Sequence, residues 1–152
     1  MKLKLNKGFT LIELLVVIAI IGVLSAVVLA SLNTARSKGN DAAIMSNIDG
    51  IRTQAAVYTT DHGTYGTNAL AVNGDCAAAS TLFSETTIQN QVAAAVKASN
   101  GGTVVCNVAV LGASYAVSAP LIAVPDTFYC IDSVGSATTT TAVLASGDTT
   151  CN

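Results

Sequence analysis

Lys7-Gly8-Phe9-Thr10-Leu11-Ile12-Glu13 leads into the longest apolar run of the chain, FTLIELLVVIAIIGVLSAVVLASL from Phe9 to Leu32, in which Glu13 is the one charged residue. A helix of about 20 apolar residues crosses a bilayer, so this run is long enough to span one. Lys2, Lys4 and Lys7 stand on its N-terminal side. Positive charge beside a membrane helix holds that end in the cytoplasm. The expectation is a single pass through the inner (cytoplasmic) membrane, with the N-terminus cytoplasmic and the C-terminal body outside. An ordinary secretory signal is cut after its apolar core, and small residues at Ser25-Ala26 or Ala30-Ser31 imitate such a site. The run is long for a signal core, and it does not stop at a turn.

Beyond it the pattern changes from uniformly apolar to periodic. Ile44, Ile48, Ile51, Ala55 and Tyr58 recur at helical spacing, an apolar stripe with Asp41, Asn47, Asp49, Arg52 and Gln54 off it. The sequence predicts one helix from Phe9 to about Thr60, on the order of 75–80 Å at 1.5 Å per residue. Gly39-Asn40 is its weak point, and Gly63 is suited to a left-handed cap after Asp61-His62. Residues 63–81 read as a loop, and Glu85–Ala98 as a second helix burying Ile88, Val92 and Ala95 or Val96. Gly101-Gly102 ends it. Two β-prone runs flank Gly112, with Tyr115, Val117, Ala119 and Leu121 alternating; further strands are expected at Thr127–Asp132 and, after a turn at Gly135, Thr138–Leu144.

Composition bounds the function. The 152 residues leave room for one modest domain plus an appendage. The net charge of −2 is uneven, because setting aside Lys2, Lys4 and Lys7 leaves four basic against nine acidic side chains. A mildly acidic outer body offers no electrostatic reason to bind nucleic acid. Cys76, Cys106, Cys130 and Cys151 all follow the apolar run. An even count in a small exported domain suggests two disulfides, with four buried thiols as the alternative, and by residue reading alone the three possible pairings stay open. Their wide spacing and the single histidine, His62, argue against zinc.

The segment Lys7–Glu13 resembles the processing motif of type IV pilins and of the related pseudopilins of type II secretion and competence systems. The resemblance implies an α+β, pilin-like fold: a long N-terminal helix, membrane-spanning in its first half and amphipathic in its second, packed on a small antiparallel sheet. It implies a leader at 1–8, a transmembrane and filament-core helix at 9–35 and an outer head at 36–152, divided into second half-helix (36–62), loop and second helix (63–102) and sheet (103–152). It further implies a prepilin peptidase/methyltransferase that cuts between Gly8 and Phe9 and N-methylates Phe9. Glu13 would then pair with the Phe9 amine of a neighbouring copy during assembly, on a pilus assembly platform, into a helical homo-oligomeric filament at the cell surface. Gly22 matches a glycine common in pilin helices, while the family's frequent proline would fall at Ala30. Of the cysteine pairings, Cys130–Cys151 resembles the disulfide-bounded C-terminal region of many pilins; Cys76–Cys106 would tie the loop and second helix to the sheet.

Retaining the whole helix after the cut gives Glu13 its meaning. A carboxylate at mid-membrane costs ~2.5–3.5 kcal/mol on insertion scales, less near an end, so such groups find partners. The simpler reading is a glutamate at an interfacial first turn, favoured by the helix dipole. No cofactor and no catalytic activity are expected: Gly112-Ala-Ser-Tyr-Ala116 lacks the last glycine of a nucleophile elbow, His62 has no triad context, and Asp126 and Asp132 read as turn residues before calcium ligands. The alternatives are a pseudopilin of a secretion or competence apparatus, a secreted binding domain with an ordinary signal peptide, and a membrane-tethered enzyme.

Overall fold

The computed structural model of the protein describes residues 8–68 and 72–151; of the expected leader only Gly8 lies among them. One helix, α1, runs Leu11–His62. The chain divides into two compact units, one ending at Arg36 and the other beginning at Ser37, so α1 contributes to both.

In the first unit every residue from Gly8 to Arg36 is exposed. The side chains are apolar all round, so no single face is set aside for packing. Two of its hydroxyls are accommodated within the helix: Ser31 donates to the Val27 carbonyl (3.0 Å) and Thr34 to that of Ala30 (3.3 Å). Internal satisfaction of this kind is what a lipid environment demands of polar groups.

The second unit is built on the stripe. Ile44, Ile48, Ile51, Ala55 and Tyr58 are buried on α1, and no break occurs at Gly39-Asn40. The helix ends at His62, where Gly63 takes φ 76° and its N–H donates to the Thr59 carbonyl (2.8 Å). The segment expected as a loop is partly ordered into the sheet, with a two-residue strand β1 (Val72–Asn73) and a bridge between Gly66 and Thr81. A 3₁₀ turn at Leu82–Ser84 buries Leu82 and Phe83 before α2 (Thr86–Ala98).

Four more strands follow: β2 (Val105–Val108), β3 (Tyr115–Pro120), β4 (Phe128–Asp132) and β5 (Ala137–Thr140). They form an antiparallel meander in the order β1-β2-β3-β4-β5. Strand alternation sends Cys106, Val108, Tyr115, Val117, Ala119, Tyr129 and Ile131 to one face. There they join the α1 stripe, Leu82, Phe83, Ile88 and Ala95 in one core. Val92 and Val96 of α2 pack at its margin, half-buried.

The opposite face is closed by the chain after β5. That strand stops at Thr140 where the sequence predicted Leu144, because the segment leaves the sheet edge and folds over Ala116 and Cys130, burying Leu144 there. Two polar residues hold it. The Asn107 amide donates to the Ala145 and Asp148 carbonyls (2.8 Å each), and its oxygen accepts the Gly74 N–H (2.8 Å). Buried Asp132 accepts N–H bonds from Val134 (3.1 Å), Ser136 (2.8 Å) and Cys151 (2.9 Å). Burial works against its charge, but the bonds from Cys151, Ser136 and Val134 outweigh it, holding the carboxyl below its ordinary range.

Disulfides join Cys76 to Cys106 on the core side of the sheet and Cys130 to Cys151 on the far side. Asp41, which periodicity put off the stripe, is buried: its carboxylate accepts the Ile122 N–H (2.7 Å) and the Ala123 N–H (3.1 Å), fastening the β3–β4 connection to α1.

Candidate processing and assembly site

Gly8 and Phe9 precede the helix in open surroundings. A side chain at Gly8 would meet no atom within 4 Å, and Phe9 is 89% exposed. Among the described residues nothing packs against a Cβ built at Gly8.

Thr10 and Glu13 form a reciprocal cap on α1. The Glu13 N–H donates to the Thr10 hydroxyl oxygen (3.3 Å), while the Thr10 N–H (2.8 Å) and hydroxyl (2.7 Å) both donate to Glu13 Oε2. This is the capping box of a Thr-x-x-Glu sequence. It fixes the carboxylate at the helix N-terminus, where the dipole favours negative charge. Both bonds to the carboxylate fall on Oε2, so among the described residues Oε1 has no hydrogen bond. Thr10 is the residue that reading for the cleavage motif passed over; its signal was the three-residue spacing to Glu13.

The remaining candidates are engaged elsewhere. His62 caps the end of α1, its Nδ1 within 3.1 Å of the Tyr58 carbonyl and its ring stacked on Tyr58 at 4.1 Å. Asp132 spends its oxygens on backbone amides, and Asp126 is an exposed turn residue at φ 55°. Among the described residues no group of three or more histidine, cysteine or acidic side chains is placed to hold a metal.

Residues 3–29 match the family described as the prokaryotic N-terminal methylation motif. The type IV wide pilus major component PilA4 of Thermus thermophilus is 41% identical over 66 residues, 43% of this chain and 50% of that protein. A fimbrial protein of Neisseria meningitidis is 35% identical over 99 residues, 64% of this chain and 52% of its own. The type IV major pilin protein PilE1 of Neisseria gonorrhoeae is 41% identical over 66 residues, 42% of this chain and 39% of its own. The chain thus spans about half the length, or less, of these relatives. No solved structure matches it. In its N-terminal methylation motif, its N-terminal sequence and its helix-on-sheet α+β fold, the chain is similar to type IV pilins.

Proposed function

We propose that this chain is the precursor of a pilus subunit, cut between Gly8 and Phe9 and N-methylated at Phe9 by a prepilin peptidase/methyltransferase. Before assembly the helix at 9–35 spans the inner membrane, with its N-terminus cytoplasmic and residues 36–152 outside. Afterwards the same helix lies in the core of a helical filament of identical subunits, built on an assembly platform and supporting adhesion, motility or DNA uptake. The observation that carries this reading is the first part of α1, apolar all round and exposed from Leu11 to Leu32, with Glu13 in its first turn as its single carboxylate. Such a surface is stable only in lipid or among like helices.

The capping box adds a mechanism. Thr10 occupies Oε2 of Glu13 and leaves Oε1 for one further donor. Cleavage creates an ammonium on Phe9, and in an apolar bundle a neighbour's ammonium is the partner that neutralises Glu13. Misregistered docking would leave both charges unpaired in a low-dielectric setting, which is strongly unfavourable. Replacing Gly8 with leucine is expected to leave uncut precursor in the membrane, seen as a retained leader by mass spectrometry. Normal filaments built from the Gly8→Leu chain would overturn the processing step.

A further inference from the structure

Residues 33–40 are helical within α1, yet neither of the environments that hold the rest of that helix holds them. Before them the helix is apolar, and a lipid surrounding without water enforces its backbone hydrogen bonds. After them Asp41, Ile44, Ile48, Ile51, Ala55 and Tyr58 are buried. Between these, residues 33–36, 38 and 39 are exposed, and Ser37 and Asn40 are half-buried. Most helical stability in a protein comes from burying one face. No residue of this stretch is buried.

Its composition does not compensate. Asn33, Thr34, Ser37, Gly39 and Asn40 make up five of the eight residues, and all are poorer helix formers than alanine or the straight-chain residues, glycine most of all. Thr34 turns its hydroxyl back to the Ala30 carbonyl (3.3 Å), a bond that slightly weakens a helix. Arg36 and Lys38 have no acidic residue within the stretch to pair with. A Cβ on Gly39 would meet nothing within 4 Å, so no close approach requires the glycine. The boundary between the two compact units, at Arg36 and Ser37, falls inside the stretch. Directly after it comes Asp41, the first buried residue of α1, with its carboxylate on the Ile122 and Ala123 N–H groups.

We propose that residues 33–40 are a compliant link, which opens locally out of the helix while both units stay folded, and that Asp41 is the stop where the opening ends. The mechanical role of the link rests on the reading of this chain as a filament subunit. Both disulfides lie within the second unit, so the link is the covalent connection between the units. Axial load on a helix held in a filament core therefore reaches the outer body through it. Drawn from ~1.5 Å to ~3.3 Å per residue, the link lengthens by about 14 Å, and it shortens again when the load is released.

Hydrogen exchange of the full-length chain in lipid nanodiscs reads the opening. Link amides are expected to exchange about tenfold faster, or more, than those of Ile48, Ile51 and Ala55. Gly39→Ala places its methyl group in open space and is expected to slow exchange in the link about fivefold. Asp41→Asn removes one of the two acceptor oxygens and is expected to carry fast exchange on into residues 42–45. Link amides as slow as those of Ile48, or no slowing by Gly39→Ala, would overturn the link; no spread in Asp41→Asn would overturn the stop. In single-filament pulling, Gly39→Ala is expected to need more force than wild type for the same reversible lengthening, and an unchanged force would overturn the mechanical role. All these outcomes leave the proposed function standing. A wild-type chain that is never cut after Gly8 and forms no filament would overturn that function, whatever the exchange shows.

Discussion

Glu13 is expected to matter after processing and not during it. Its carboxylate is held by Thr10 and leaves one oxygen open, so the Glu13→Ala chain should still be cut and methylated but assemble poorly. Comparing mature mass with sheared-filament yield separates the two steps; a normal yield would remove Glu13 from the assembly mechanism. Asp132 makes a different claim, on stability. Its folded pKa is held low, so its contribution is complete above the unfolded value of about 3.9 and is lost as pH falls through the lower folded value. The Asp132→Asn chain should be less stable at neutral pH, since an amide cannot accept from Val134, Ser136 and Cys151 together. It should also lose less stability than wild type as pH falls below the unfolded carboxyl value of about 3.9, as measured by circular dichroism on detergent-solubilised protein. Residues of this kind were hard to read in the sequence. Thr10, Asp41, Asn107 and Asp132 all act through hydrogen bonds to backbone groups, and for the last three those groups belong to segments whose position only the fold supplies.

At the scale of elements, legibility followed periodicity. The stripe Ile44, Ile48, Ile51, Ala55 and Tyr58 is a strong helical signal, and each of its members is buried. The cap at Gly63, the turn at Gly135 (φ 102°) and the strand ending at Asp132 were legible for similar reasons, a glycine or an alternation with one solution. The stretch after β5 was not. Its Thr-rich composition suits a strand to Leu144, but Asn107, Asp132 and the Cys130–Cys151 bond draw the chain across the sheet face instead. Asp41 was misassigned because helical spacing alone cannot reveal two free amides arriving from the β3–β4 connection. If the stripe anchors the second unit, Ile48→Ala should destabilise it by ~2–5 kcal/mol, as for buried aliphatic truncations generally. Thermal unfolding of the solubilised chain gives the shift, and an unchanged midpoint would contradict the packing of α1 on the sheet.

For the whole molecule, the two units divide the work. The exposed apolar unit ending at Arg36 has the surface for lipid and for like helices, while the unit from Ser37 has the buried core and both disulfides. An apolar run alone would suit any membrane anchor; the basic residues before it, the Gly8-Phe9 junction and Glu13 are what distinguish a filament subunit. These all sit at one end of the chain, and they converge on one covalent structure, the mature N-terminus. Intact-mass and N-terminal peptide measurement on membrane-extracted protein reads it directly. The expected product begins at Phe9 and carries one methyl group on its amine. A product beginning near residue 26 or 31, or a chain retaining residues 1–8 in assembled filaments, would contradict the pilus-subunit function proposed for this chain.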